Sequence, residues 1–599
     1  MEDKNFVPQG FSDTIFKDRY ALTAEESWDE ACLRVAKQMA LAETPDKMKK
    51  YEDTFYDVLV KNLFVPGGRI WFQSGRNNPQ LLNCFVLTNE LDSKEGWGNI
   101  AREMIITSMT GGGCGIEYSD IRPNGSFVQG NKGTCPGPVT AMKMIDNCAE
   151  PVKSGGDRRV ALMFSLDMNH PDLEEFLDAK LDHKELTHAN VSVRCRNVAE
   201  FVKAVREDGE LELSWKGQYK KKVSARKIWK KIYTNAWKNA EPGFLNWELA
   251  LSESNIHYIE DLVTTNPCGE IALSSHDCCC LGHLVLFRFV NERGNDIEWS
   301  KLANTIRTGV RFLDNVLTVN NYPLKEMKDK SQKLRRIGLG VTGEADMLAM
   351  LGFKYGSDEA NKFVDKLHRF ISKIAYESSV MLAIEKGPFP LFNAEKHLES
   401  GFMKRMTAKI RALVAEHGIR NCAILTIAPT GTVSILCNNC SSGIEPMFAA
   451  AYERKYWKGK TRATEIVFHP LFAKLMREGK DVDICVGAHE LDVREHMEMQ
   501  KIVQKHIDNA VSKTINMAKN YPVEKMAEAW LDYLPYLKGT TFYRDGSRKF
   551  INKETGEEEE PPLTPLSLEE AIKKFKQIGD KAIEGAASTD SCKDGTCEI

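Results

Sequence analysis

No stretch of this 599-residue chain approaches the roughly 20 consecutive apolar residues that a membrane-spanning helix requires. The beginning, Met1-Glu2-Asp3-Lys4, lacks the apolar segment of a secretory signal. The expectation is a cytoplasmic protein without a membrane partner. Charge of one sign is missing too. Charged residues make up 28% of the chain, yet the formal net charge is −3, so no global basic field draws it to nucleic acid. Lys220-Lys221-Lys222 reads as a solvated turn. Short internal repeats are absent. Gly111-Gly112-Gly113-Cys114-Gly115 is glycine-rich but lacks the spacing of a dinucleotide fingerprint.

Cysteine, by contrast, is plentiful. Sixteen cysteines without a secretion signal point to a reducing compartment. There they read as catalytic, metal-binding or buried thiols, not as a disulfide scaffold. The most informative one sits in Asn266-Pro267-Cys268-Gly269-Glu270. An amide, a thiol and a carboxylate recur at every second position, with Pro and Gly between them. Pro lacks an N–H and Gly relaxes the φ restriction, so the segment reads as a tight loop able to aim all three side chains into one cavity. That set suits a vicinal diol. The amide holds a hydroxyl, the carboxylate takes its proton, and the thiol supplies a proton, an electron or a hydrogen atom. The bland alternative is a turn with a buried, inert thiol.

The organisation falls into three parts. Residues 1–65 read as helical, with Trp28, Cys32, Val35 and Met39 at near-helical spacing between Glu25 and Glu43. From Leu63, apolar runs (Val160–Leu166, Val191–Val193, Cys422–Ile427) alternate with helical segments (Ala225–Asn239, Leu302–Val319, Ala360–Glu385). Such alternation favours an α/β fold with parallel strands over residues 66–550. In residues 551–599, Glu557-Glu558-Glu559-Glu560 and Pro561-Pro562 interrupt structure and Leu566–Ile578 can form one helix. Gly585–Ile599, small and polar, reads as a flexible end carrying Cys592 and Cys597.

Five segments together resemble ribonucleotide reductase catalytic subunits, in the family's order and spacing. Leu82-Asn83-Cys84-Phe85-Val86 resembles the strand of the first redox cysteine. Asn266–Glu270 resembles the finger loop, and Cys279-Cys280-Leu281-Gly282 the strand of the second redox cysteine. Ala428-Pro429-Thr430-Gly431-Thr432-Val433-Ser434 resembles the substrate-phosphate loop. Gly539-Thr540-Thr541-Phe542-Tyr543-Arg544-Asp545-Gly546-Ser547 resembles the closing strand of the adenosylcobalamin-dependent (class II) branch. The resemblance implies a ten-stranded α/β barrel of two antiparallel five-stranded parallel halves, with the finger loop inside. Little room remains for the N-terminal ATP-binding domain of larger members, so no overall ATP/dATP on/off switch is expected.

The resemblance also implies residue roles. Cys268 carries the radical, Glu270 takes the 3′-hydroxyl proton and Asn266 positions the hydroxyls. Cys84 and Cys279 deliver two electrons and become a disulfide. Three cysteines are consecutive here. Cys278 and Cys280 face opposite to Cys279 in a strand, and the family register selects Cys279. Cys280 stands where Asn is usual and His283 where Ser is usual. Asn83, Gly113, Asn266, Pro429, Thr430, Gly431, Thr432 and Ser434 contact the ribonucleotide; hydroxyls and exposed backbone N–H groups suit its phosphates. Asp92, Ser93, Arg122 and Lys132 match an effector site for dNTP or ATP at a homodimer interface. Arg158 and Arg159, in Gly155–Asp167, match the loop relaying effector identity to the substrate base, with Val160 replacing the usual Gly. Cys592-Lys593-Asp594-Gly595-Thr596-Cys597 reads as a tail shuttle, recharged by a thioredoxin- or glutaredoxin-like reductant.

The radical source follows from one position. Reductases served by a separate radical-generating subunit (class I) relay through two adjacent tyrosines, and here Phe542-Tyr543 stands in that place. Phe has no ionisable O–H, which favours adenosylcobalamin. The Asp-x-His-x-x-Gly base-off cobalamin motif is absent, as in class II reductases generally, and no glycyl-radical motif occurs near the C-terminus. The competing readings are a class I large subunit, a thiol–disulfide oxidoreductase using Cys592/Cys597 or Cys437/Cys440, and a zinc-binding interaction protein. The oxidoreductase has no need of Asn266 and Glu270. Zinc wants four ligands; Cys592/Cys597 offers two and Cys437/Cys440 could add two more, but the second pair directly follows the phosphate-loop candidate, so no metal site is expected.

Overall fold

Short apolar strands and amphipathic helices alternate along most of the chain, and within each half of the fold successive strands lie parallel. The computed structural model describes residues 5–88, 90–128, 132–153, 160–181, 185–458, 461–547, 550–551, 558–559, 563–579 and 583–584. Ten strands position the site. They are β1 (Cys84–Leu87), β2 (Gly113–Glu117), β3 (Leu162–Asp167), β4 (Ala189–Cys195), β5 (Gly243–Asn246), β6 (Cys278–Cys279), β7 (Leu281–Val285), β8 (Gly338–Thr342), β9 (Thr514–Met517) and β10 (Gly539–Arg544). Eight of them form one sheet in the order β6-β1-β2-β3-β4-β5-β10-β9. β1 to β5 run parallel to one another, as do β9 and β10. The β6–β1 and β5–β10 pairs are antiparallel.

Helices make the crossovers. Lys94–Met109 links β1 to β2, Gly137–Ala149 links β2 to β3, and Ala225–Asn239 precedes β5. β3 and β4 are buried along nearly their whole length, the pattern of strands covered on both faces. A second sheet joins the short strand Phe64–Pro66 to β7 and β8. Single parallel bridges, Leu339 to Leu425 and Ile427 to Val511, lead from β8 towards the segment before β9. Parallel strands with helical crossovers bear out an α/β fold; among the described residues these strands register as two sheets, not as one closed barrel.

The apolar run Cys422–Ile427 forms no regular strand. Its backbone is extended and bonded on both sides, but Asp508 interrupts the ladder. The Asp508 carboxylate accepts the N–H groups of Ile424 and Leu425, both at 2.8 Å, in place of a neighbouring strand's carbonyls.

Ahead of the sheet lie the helices Phe11–Arg19, Trp28–Ala40 and Pro45–Val60. Ser27 and Glu30 form a capping box at the start of the second helix. Trp28, Cys32, Val35 and Met39 are all buried on one face, and Trp28 packs on Trp71 with ring centroids 4.9 Å apart. Towards the C-terminus, the hairpin strands Ala451–Lys458 and Thr461–Phe468 pair with Leu563–Pro565 and Ile583–Glu584. The helix Leu568–Ile578 docks there, with Phe575 edge-on to Phe468 at 5.2 Å. No described helix is long and apolar enough to cross a membrane.

The core has two parts. Most apolar side chains pack between the sheets and the helices. A small separate cluster, Val86, Ile271, Leu273, Cys279, Leu281 and Ala428, lies on the other side of the strands. That inner cluster surrounds the candidate site.

Candidate active site

Thr264–Thr265 and Ala272–Leu273 pair antiparallel, and residues 266–271 loop between them. Asn266 staples this loop to itself. Its N–H donates to the Ile271 carbonyl at 3.1 Å, its Oδ1 accepts the Ile271 N–H at 3.1 Å, and its carbonyl accepts the Gly269 N–H at 3.0 Å. Gly269 has φ +79°, a left-handed conformation that favours glycine. The loop is also tied to its surroundings. The Glu270 carbonyl accepts the Ala510 N–H and the Thr426 hydroxyl, both at 2.8 Å, and the Pro267 carbonyl accepts the Asn190 amide at 3.2 Å.

Two glycines of β2 make room for the loop. A Cβ on Gly113 would lie 2.9 Å from the Pro267 ring, and one on Gly115 would lie 2.0 Å from the Thr265 carbonyl oxygen. The glycine-rich run is therefore a platform for close backbone approach. Gly113 touches the loop and is not a wall of the cleft described next.

That narrow cleft is lined by Asn83, Cys268, Glu270, Leu281, His283 and the 428–431 turn, with Gly67 and Gly68 on one side. Cys268 is half-buried. Glu270 is wholly buried, and neither carboxylate oxygen has a hydrogen-bond partner among the described residues. Burial pushes its carboxyl up to about 7, with the neighbouring Asn266 amide offsetting only part of the effect. A carboxyl of that kind is poised between acid and base near neutral pH.

Cys84 and Cys279 lie directly opposite one another in the antiparallel β1–β6 pair. Directly opposed residues bring their Cα atoms to roughly 4.5–5.5 Å, within reach of a disulfide. The structure thus brings together two thiols far apart in the chain. Both are buried, and the Asn266 Nδ2 donates to Cys84 Sγ at 3.3 Å. Burial first, then the neighbouring Cys84 and Glu270, push the Cys279 thiol well up. Cys278 and Cys280 belong to the outer core, whereas Cys279 belongs to the inner cluster.

Thr430 takes a left-handed φ of +62°, and the short helix Gly431–Leu436 begins beside it. Ala428, Pro429, Thr430 and Gly431 line the cleft. Thr430 Oγ1 accepts the Gly443 N–H at 2.9 Å and lies 3.2 Å from Thr342 Oγ1. Thr432 and Ser434 are turned to protein partners. Ser434 donates to the Gly431 carbonyl at 2.8 Å, and Thr432 Oγ1 sits 2.5 Å from the Tyr20 hydroxyl. Both hydroxyls therefore have partners within the protein. Tyr20, from the N-terminal helical region, went unread in the sequence, because nothing local marks a tyrosine that meets a loop 412 positions away.

Asp92 and Arg122 form a two-pronged ion pair, with Nη2 to Oδ2 at 2.8 Å and Nε to Oδ1 at 2.9 Å. Burial disfavours the Asp92 charge, but Arg122 outweighs it and holds the carboxyl below its ordinary range. Ser93 caps the helix Lys94–Met109, its Oγ accepting the Gly96 N–H at 2.9 Å. Lys132 sits at a left-handed turn between the Phe127–Val128 and Gly133–Thr134 strands, and Arg122 Nη1 donates to the Phe127 carbonyl at 3.2 Å. Arg158, Arg159, Cys592 and Cys597 lie outside the described residues. Among the described residues, no group of three or more His, Cys, Asp or Glu is placed to hold a metal ion. Cys437 and Cys440 are buried beside the phosphate-loop candidate, Cys440 Sγ lying 3.6 Å from the Ser434 carbonyl.

Phe542, on β10, is buried and packs on Trp530 with centroids 4.4 Å apart. Thr540 points the same way, accepting the Trp530 indole N–H at 2.8 Å. The side chain at 542 therefore belongs to the helical layer.

Residues 82–543 match the ribonucleotide reductase barrel domain and residues 8–79 the family's all-alpha domain. The chain is 33% identical over 576 residues to a vitamin B12-dependent ribonucleoside-diphosphate reductase of Thermoplasma acidophilum, covering 92% of this chain and 72% of that protein. It is 31% identical over 573 residues to the Mycobacterium tuberculosis protein of the same name, covering 90% and 79%. A ribonucleoside-diphosphate reductase subunit alpha of Chlamydia muridarum is 28% identical over 492 residues, covering 72% and 46%.

Proposed function

The chain belongs to the ribonucleotide reductase large-subunit family, and on that footing we propose that it reduces ribonucleotides to 2′-deoxyribonucleotides as an adenosylcobalamin-dependent enzyme. The observation that carries the chemistry is the Cys268 thiol and the Glu270 carboxylate, unpartnered among the described residues, lining one cleft, with the opposed Cys84 and Cys279 beside it and Cys84 tied to the same loop through Asn266.

The residues fit the cofactor's demand. A radical source needs an open approach to one thiol. One flank of the loop is closed by Pro267 against Gly113, whereas at Gly269 a Cβ would meet no atom within 4 Å. The Cys268–Gly269 edge would receive the cofactor. When bound, adenosylcobalamin supplies a radical by homolysis of its weak cobalt–carbon bond. The alternative source, a phenolic relay through position 542, is disfavoured by Phe542 and by its packing in the helical layer.

The chain's own groups supply the rest. Cys268, as a thiyl, takes the hydrogen atom from C3′. Glu270 takes the 3′-hydroxyl proton, and the Asn266 amide, with one N–H on Cys84, offers its other N–H to a substrate hydroxyl. The 2′-hydroxyl departs as water with a proton from the thiol pair. Cys84 and Cys279 give up two electrons and two protons in all and become a disulfide, and Cys268 returns its hydrogen to C3′. Atoms and electrons balance as ribonucleotide plus dithiol giving deoxyribonucleotide, disulfide and water. Enclosure of the loop keeps water and stray reductants from the radical.

We further read the two sheets as one ten-stranded barrel. In support, β1–β5 form one parallel set and β10, β9, the 424–427 segment, β8 and β7 another. Antiparallel contacts join them at β5–β10 and β6–β1, and the Leu425 and Ile427 bridges span the remaining gap. The Cys592/Cys597 tail acts as the shuttle to a thioredoxin-like protein. The Asp92–Arg122 region serves a dNTP effector in a homodimer.

The test is reduction of CDP and CTP by the purified chain with dithiothreitol and a dNTP effector, with and without adenosylcobalamin. Cobalamin-dependent deoxynucleotide is expected. Product only on adding a second, metal-containing subunit would overturn the radical source, and no product under either condition would overturn the activity.

A further inference from the structure

His283 belongs to no part of the chemistry described so far, yet it stands in the cleft with Cys268, Glu270, Asn83 and Thr430. It is 2% exposed, and its Nδ1 has no hydrogen-bond partner among the described residues. An orphaned buried polar atom is costly, and in a ligand cleft it marks a group that a ligand satisfies. Burial lowers the imidazole to about 3, so the ring is neutral wherever the enzyme works. A neutral imidazole presents one donor and one acceptor.

Its height in the cleft is fixed by β8, which runs alongside. A Cβ on Gly338 would lie 3.1 Å from Cys279 Sγ, and one on Gly340 would lie 3.4 Å from His283 Nδ1. Thr342 Oγ1 is 3.2 Å from Thr430 Oγ1. Every second residue of one strand thus marks a level: redox thiol, imidazole, phosphate-loop turn. Successive levels are roughly 7 Å apart at about 3.3 Å per residue. A nucleotide whose 2′-carbon faces the thiols and whose terminal phosphate meets the 429–431 turn places its C5′, O5′ and α-phosphate at the middle level.

We propose that His283 is a substrate-binding residue whose imidazole hydrogen-bonds an α-phosphate oxygen of the ribonucleotide, fixing how deep the sugar sits. The proposal rests on the reading of the cleft as a ribonucleotide site. It concerns binding, and His283 transfers no proton in the reaction.

The experiment compares the wild-type chain with His283→Leu, His283→Asn and His283→Gln. Leu keeps the bulk and removes both nitrogens. Asn carries an amide to about the Nδ1 position and Gln to about the Nε2 position. CDP and CMP binding are measured by calorimetry, KM and kcat for CDP with adenosylcobalamin present, and folding by thermal unfolding. Hydrogen bonds to charged groups are worth about 1.5–3 kcal/mol, so Leu should weaken CDP and CMP binding roughly tenfold or more and raise KM alike. kcat should stay within about twofold, since the interaction is equal in ground and transition states. At least one amide variant should recover most of the affinity. Wild-type affinity in His283→Leu would overturn the proposal and leave the enzyme assignment standing. So would a loss confined to kcat, or a loss that neither amide restores in folded protein. Failure of the wild-type chain to bind or reduce CDP would instead overturn the functional reading itself.

Discussion

Replacing Glu270 by Gln should cost activity and yield stability, and the size of the gain should depend on pH. The Glu270 carboxyl is wholly buried with no hydrogen-bond partner at bonding distance among the described residues, and burial, offset only in part by the nearby Asn266 amide and the loop backbone, raises it from 4.5 to about 7. The ordinary carboxyl of the unfolded chain releases its proton near 4.5, the folded one near 7. Below pH 4.5 both states hold the proton, and the group neither stabilises nor destabilises. Between 4.5 and 7 the unfolded state is ionised while the native state still holds its proton, so native stability falls as pH rises. Above 7 the full cost is present. The shift of about 2.5 units corresponds to roughly 3 kcal/mol at about 1.36 kcal/mol per unit. Gln cannot ionise and escapes this cost. For 599 residues at about 2.1 cal/mol/K each, 3 kcal/mol is about 2 °C in Tm. The Tm of Glu270→Gln minus that of the parent should therefore climb by about 2 °C between pH 5 and pH 8, whatever its value at pH 5. The parent's kcat/KM should rise with pH through about 7, as a base must be ionised to accept the 3′-hydroxyl proton. A Tm difference that stays level with pH, or an acid limb near 4.5, would refute the unpartnered, desolvated carboxylate.

Three further outcomes follow from the geometry. Cys268→Ser should abolish product and any organic radical signal while leaving Tm unchanged, since the half-buried side chain loses little packing; retained turnover would remove the thiyl assignment. After turnover without added reductant, peptide mapping should find a disulfide between Cys84 and Cys279 and leave Cys278 and Cys280 as thiols, because only Cys279 faces the inner cluster. Gly115→Ala should lower stability by about 1–3 kcal/mol and turnover by more than tenfold, as its Cβ would lie 2.0 Å from the Thr265 carbonyl; Gly98→Ala, in open space on the helix Lys94–Met109, should do neither.

Much of the site was legible because its chemistry is compressed into short segments. Asn266–Glu270 declares its loop by Pro and Gly, and the structure finds that loop with Gly269 at φ +79°. The α/β alternation was legible for a similar reason: Ala225–Asn239 carries a 3.6-residue period, and β3 and β4 are apolar throughout. What stayed hidden depends on distance in the chain. The Cys422–Ile427 run has the composition of a strand, but Asp508 takes two of its N–H groups, and no local pattern announces a carboxylate 84 positions away. Nothing in the glycine-rich run itself announces that Gly113 and Gly115 also clear space for a loop about 150 positions later. Thr432 and Ser434 are read from the family order as phosphate-binding positions, and no local pattern announces the partners that the fold gives their hydroxyls, Tyr20 and the Gly431 carbonyl.

The arrangement also explains why so costly a group can persist. An ionised, unpartnered carboxylate pushes its own loop towards solvent, where it would be hydrated. The loop does not yield, because its hold lies in the backbone around Glu270 and not in the carboxylate. The Glu270 carbonyl has two donors, the Pro267 carbonyl one, and the Asn266 amide closes the loop on itself. Each such bond contributes about 1 kcal/mol net, so together they exceed the roughly 3 kcal/mol that the charge costs. Separating the backbone anchors from the reactive side chains leaves the Glu270 carboxylate without a partner among the described residues until a substrate arrives. A substrate diol that gives Glu270 its missing partner then gains what the empty site lacked, and binding and proton transfer draw on the same unmet hydrogen bond.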